Sequence, residues 1–103
     1  MSVTMIGIDP HKATHLAVAI DAEEEVIDRL EVSAGRGQVE ELACWADQFE
    51  HRAWAVESAG GLGLRLAQQL IAAGEMVFDV APALASRVRV LDTGGSSKND
   101  CAD

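Results

Sequence analysis

Four acidic residues in this chain, Asp9, Glu57, Asp100 and Asp103, stand at positions where short strands end or a helix begins. Asp9 closes the apolar run Met5-Ile6-Gly7-Ile8, which reads as a buried strand stopped by Pro10. Glu57 closes a second run, Ala53-Trp54-Ala55-Val56, and is followed by Ser58-Ala59-Gly60-Gly61, where the chain must turn. Asp100 and Asp103 are three apart, so a helix starting there would project both from one face. Carboxylates gathered at close range repel one another and are costly to desolvate, and hard divalent cations are what neutralise such a cluster. Two magnesium or manganese ions about 3.5 to 4 Å apart can activate a water or hydroxyl and stabilise the leaving oxygen of a phosphodiester. Taken singly, each acid fits better the common role of a solvating group, a helix cap or a partner of a helix dipole, so the weight rests on the four together.

The blocks Gly7-Ile8-Asp9-Pro10-His11-Lys12, Glu57-Ser58-Ala59-Gly60 and Lys98-Asn99-Asp100-Cys101-Ala102-Asp103 occur in that order along nearly the whole chain. In this the sequence resembles the DEDD transposases, the RuvC-like recombinases of the bacterial insertion-sequence family called "one-ten". Asn99 stands where that family usually has Thr. The resemblance implies a ribonuclease H-like fold and a catalytic, metal-binding set made of Asp9, Glu57, Asp100 and Asp103. It also implies that the whole enzyme acts on DNA with a guide RNA as a homo-oligomer and carries a second domain with a serine nucleophile. On that reading residues 1–103 form one domain, the N-terminal catalytic portion of a transposase, inactive when isolated.

The net charge of −9 opposes nucleic-acid binding, since such proteins usually present a basic surface to phosphates. Four of the negative charges belong to the proposed metal set. Much of the remainder falls in Asp21 to Glu25 and on Glu40, Glu41 and Asp47, which read as a solvated rim. Lys12 follows the first acid, and Arg87, Arg89 and Lys98 precede the last two, so these four cations are the candidates for contacting DNA. At 103 residues and 49% hydrophobic composition the chain can bury a modest core. It has no apolar stretch of membrane-spanning length and no signal-peptide pattern, which places it in the cytoplasm. Cys44 and Cys101 match neither a zinc site nor a disulfide scaffold and read as reduced thiols.

The elements that must position the acids follow from periodicity. Strands are expected at Met5 to Asp9, Thr14 to Ile20 and Val26 to Val32, joined by short links into an antiparallel meander with Asp21-Ala22-Glu23-Glu24 as a polar turn. A helix opened by Gly35 and Gly37 carries Val39, Leu42, Ala43, Trp45, Ala46 and Phe49 at helical spacing. The strand Ala53 to Glu57 leads to a second helix with Leu66, Ala67, Leu70 and Ile71 on one stripe and Gly74 at its end. Met76 to Val80 reads as a fifth strand and Pro82 as the start of a third helix. Helical crossovers make the later strands parallel, so the fold class is α/β with a mixed five-stranded sheet and flanking helices.

Other features have plainer readings. His11, His15 and His51 lack a zinc-ligand pattern, with His11 alone beside the proposed site. Trp45 and Trp54 fall on a helix stripe and a buried strand and read as core. Gly60-Gly61-Leu62-Gly63 precedes a helix but lacks the lysine and spacing of a P-loop, so it reads as a tight turn. Two rival functions fit the same pattern: a fragment of a sugar-kinase or actin-like ATP-binding domain, and an inert, truncated interaction module. Against the first, His11 stands where those ATPases usually have glycine.

Overall fold

The computed structural model describes residues 2–57 and 61–80. Strands β1 (Thr4–Pro10), β2 (Thr14–Ile20) and β3 (Val26–Ser33) form the meander, followed by α1 (Gln38–Ala46), β4 (Arg52–Glu57), α2 (Leu64–Ala72) and β5 (Val77–Val80). The sheet order is β3-β2-β1-β4-β5. β2 runs antiparallel to β1 and β3, whereas β1, β4 and β5 are mutually parallel. This is an α/β fold with a mixed five-stranded sheet, in the strand order of the ribonuclease H-like architecture. The expected third helix lies outside the described residues.

Alternation decides which side of the sheet is which. Ile6 and Ile8 of β1, Ala17 and Ala19 of β2, Leu30 and Val32 of β3, and Trp54 and Val56 of β4 join one buried cluster with Leu42, Trp45 and Ala46 of α1 and Leu66, Ala67 and Leu70 of α2. Both helices therefore cover one face, and residues at the intervening positions of each strand leave on the other. Trp45 and Trp54 are core residues, 3% and 0% exposed. Phe49 lies past the end of α1, yet packs edge-on against Trp45 with ring centroids 5.4 Å apart.

Local chemistry explains the turns. The Asp21 side chain accepts from the backbone N–H groups of Glu23 and Glu25, and Glu24 takes a left-handed φ of 63°. Gly74 ends α2 at φ 89°, the conformation in which a glycine terminates a helix without steric cost. Pro10 does not stop β1; it pairs with His15 as its last residue, and the hairpin closes one step later through His11 N–H to Thr14 O at 2.9 Å. Ile71 departs from the expected stripe and is 59% exposed, because Leu66, Ala67 and Leu70 already fill the contact. Of the two cysteines, Cys44 lies in α1 and Cys101 lies outside the described residues.

At the N-terminal end of β4 a charged network is closed on itself. Arg52 grips Glu75 through two bonds, Nε to Oε1 at 2.9 Å and an end nitrogen to Oε2 at 2.8 Å. It also donates to the carbonyls of Ala46 and Phe49. Trp54 Nε1 donates to the same carboxylate at 2.7 Å. The Arg52 hydrogen bond holds the Glu75 carboxyl below its usual range, against the opposing effect of burial.

Candidate metal centre

The opposite end of the same strands carries the acids. β1 and β4 are neighbours in parallel register, with Ile8 beside Val56, so Asp9 and Glu57 follow one step later at the same C-terminal edge. Ile8 and Val56 enter the helix-covered core, and alternation therefore sends Asp9 and Glu57 to the other face of the sheet. Both line one cavity of about 490 Å³ with Pro10, His11, Leu16, Glu31 and Leu62. The proximity of Asp9 and Glu57 thus comes from strand register rather than from loop conformation.

Asp9 is 8% exposed. His11 Nε2 donates to Asp9 Oδ2 at 3.1 Å, which assigns the proton to that nitrogen since an ionised carboxylate only accepts. The His11 side chain is 62% exposed and so bridges the acid to the surface. Glu57 is half-buried and its Oε2 is shielded from solvent. Sequence reasoning missed Glu31. Leu16 pairs with Asp9 on one side and with Glu31 on the other, so Glu31, Leu16 and Asp9 form a row across three strands. Only the register reveals this, because Glu31 sits between the core residues Leu30 and Val32 like any outward-facing strand residue.

The donor set suits a hard divalent cation in part. Asp9 and Glu57 offer carboxylate oxygens to one cavity, the ligand type magnesium and manganese prefer. Among the described residues no three His, Cys, Asp or Glu groups come close enough to hold a metal ion, although Glu31 lines the same cavity across Leu16 from Asp9. Asp100, Asp103, Arg87, Arg89 and Lys98 lie outside the described residues. Lys12 is exposed in the β1–β2 turn and lines a second cavity, of about 230 Å³, that also has His11 and Leu62 in its wall.

Beyond His11, a buried polar chain joins the strands to both helices. His15 Nε2 donates to Gln38 Oε1 at 3.0 Å, Gly35 N–H donates to the same oxygen, and Gln38 Nε2 donates to Gln69 Oε1 at 2.7 Å. Burial pushes the His15 imidazole below its usual range, with the Gln38 bond acting against that shift and the charge of His11 adding to it. No helix among the described residues is long and apolar enough to cross a membrane.

The mixed sheet is compatible with a ribonuclease H-like fold, and two of its adjacent parallel strands, β1 and β4, carry acids at their C-terminal edge. The transposase family model for DEDD enzymes of the IS110 type matches residues 6–103, and the chain belongs to that family. It is 33% identical over 98 residues to the insertion element IS116 uncharacterized 44.8 kDa protein of Streptomyces clavuligerus, a match that covers 95% of this chain and 24% of that relative. The chain thus spans about a quarter of the length of this curated relative. No solved structure matches it. Family membership displaces the ATP-binding reading.

Proposed function

We propose that this chain is the N-terminal catalytic portion of a DNA transposase whose strand cleavage and transfer depend on divalent metal held by Asp9, Glu57, Asp100 and Asp103. The observation that carries the reading is the meeting of Asp9 and Glu57 in one cavity at the C-terminal edge of adjacent parallel strands. Bound magnesium or manganese would supply a Lewis acid for the phosphodiester oxygens. The residues of this chain do the rest: Asp9 and Glu57 hold the cation from rigid strand ends, and Asp100 and Asp103 complete the ligand set. His11 fixes the orientation of the Asp9 carboxylate through its Nε2–H. Lys12, Arg87, Arg89 and Lys98 contact the DNA backbone, and the complete, homo-oligomeric protein uses a guide RNA to choose its site in the cytoplasm.

Residues 1–103 by themselves bind metal weakly and cut nothing. In-line phosphoryl transfer needs substrate and metal held within about an ångström, an error of that size costing about a hundredfold, and a chain of net charge −9 repels DNA. The test is a strand-cleavage and transfer assay with the full-length transposase, its guide RNA and magnesium. Glu57→Gln and Asp9→Asn should each lower activity by at least about a hundredfold. Full activity in either variant would show that the paired acids are not the reacting centre. Robust cleavage by residues 1–103, abolished by Glu57→Gln, would keep the centre and overturn the dependence on the remaining chain.

A further inference from the structure

The second cavity lies against the first and has the opposite electrostatic character. It is lined by His11, Lys12, His15, Gly35, Gln38 and Arg65, among others, and shares His11 and Leu62 with the acid-lined cavity. Lys12 comes from the β1–β2 turn and Arg65 from the first turn of α2. Both are exposed, and neither has a carboxylate partner among the described residues. Placing two unpaired cations in one concavity costs free energy unless an anion joins them.

Two further features of the cavity bear on its occupant. The N-terminus of α2 has no side-chain cap and no acid in its first turn, while Leu62, Arg65 and Leu66 from that region line the cavity. An uncapped helix start directs unsatisfied N–H groups and a partial positive charge at whatever occupies the space before it. His15, 4% exposed, also lines the cavity, and its Nδ1 is buried with no hydrogen-bond partner. Because Nε2 carries the proton donated to Gln38, this Nδ1 can only accept, so it suits a water bridging to an anion rather than the anion itself. The Gly61-Leu62-Gly63 turn lacks a lysine of its own, but the fold brings Lys12 to the same cavity from a different element.

We propose that this cavity seats a backbone phosphate of the nucleic-acid strand, held by Arg65 and Lys12 at the start of α2, next to the phosphate that faces Asp9 and Glu57. The assignment rests on the reading of the protein as a DNA-processing enzyme, because a free anion would fit the same charges. The shared wall at His11 is what favours a strand: one occupant can place neighbouring phosphates in the cationic and the acidic cavity at once. The cationic seat then offsets the repulsion that the acids and the net charge of −9 impose on DNA.

The test uses the isotopically labelled 103-residue chain in EDTA, so that metal plays no part. It is titrated with a short single-stranded DNA, with the matching RNA, and separately with inorganic phosphate, while amide and Arg65 Nε–H shifts are followed. Either oligonucleotide should move the signals of Lys12, Gly35 and Arg65 in a saturable way. Arg65→Gln should weaken that binding about tenfold and lower the slope of log affinity against log salt by about 0.7, the value for one single-strand phosphate contact. Lys12→Gln should act in the same direction. The proposal is overturned if both variants bind like the parent chain, or if inorganic phosphate moves these signals and neither oligonucleotide does. Failure of the metal centre would leave these EDTA results unchanged, so the two readings fall separately.

Discussion

The two ends of β4 hold carboxylates that differ in almost every respect except chemistry. At its N-terminal end Glu75 meets Arg52 in a two-bond grip, accepts from Trp54, and sits under carbonyl contacts that fix the arginine. At its C-terminal end Glu57 shares a cavity with Asp9, and the titratable cationic side chain lining it is an exposed histidine. One end answers charge with charge and ties β4 to the segment before β5. The other concentrates like charge on rigid strand ends, an arrangement that makes sense as a place prepared for a cation. The contrast separates what stabilises this fold from the function proposed for it.

Making the same carboxylate-to-amide change at both ends sharpens that contrast. Glu75→Gln should cost about 3 kcal/mol, no more than the lower end for a buried ion pair, because this pair is part-buried and the amide oxygen still accepts from Trp54. Urea unfolding monitored by tryptophan fluorescence measures it as a fall in midpoint at constant slope. Since the native Glu75 carboxyl lies below its usual range, its contribution is complete above about pH 4.3 and disappears as pH falls through the native value. Glu75→Gln should therefore flatten the acid limb of the stability curve.

Gln38→Leu is the next largest expected effect, about 2 kcal/mol. It leaves the buried His15 Nε2–H without its acceptor and Gln69 without its donor. His15 itself should make stability fall with pH in the neutral range. Burial holds its native pKa down, so below about pH 6.5 the unfolded chain takes up a proton that the folded chain resists. A decline as pH falls from 7 toward the native titration point, absent in His15→Gln, is the expected outcome in a pH series of unfolding curves.

The smallest stability effect should come from the end proposed to hold metal. Asp9→Asn keeps an oxygen to accept from His11 Nε2–H and removes one of the three carboxylates that line the cavity. Its stability should stay within about 0.5 kcal/mol of the parent chain, or rise slightly at low salt. A loss as large as that of Glu75→Gln would mean that Asp9 is a structural carboxylate, and the contrast between the two ends would collapse.

Much of this was legible in the sequence. The runs ending at Asp9 and Glu57, the meander with its Asp21 turn, and the helix after Gly37 follow from periodicity and turn chemistry, and the strand order then brings the acids together. What escaped was set by register and by contacts between distant elements. Glu31 enters the site because it lies across Leu16 from Asp9. Arg65 becomes interesting once Lys12, from a turn far away in sequence, shares its cavity. Strand ends misled slightly at Pro10, which fits the last position of β1 because the closing hydrogen bond belongs to His11.

The account stands most directly on where manganese goes. Paramagnetic manganese broadens nearby amide signals even when binding is weak, so it can be added in small amounts to the labelled 103-residue chain. Broadening should centre on Ile8 to His11 and on Val56 and Glu57, and the double variant Asp9→Asn, Glu57→Gln should abolish it there. The exposed acidic turn from Asp21 to Glu25 serves as the internal control for unspecific attraction to a chain of net charge −9. Broadening confined to that turn, or unchanged at β1 and β4 in the double variant, would contradict a metal centre at the paired strand ends.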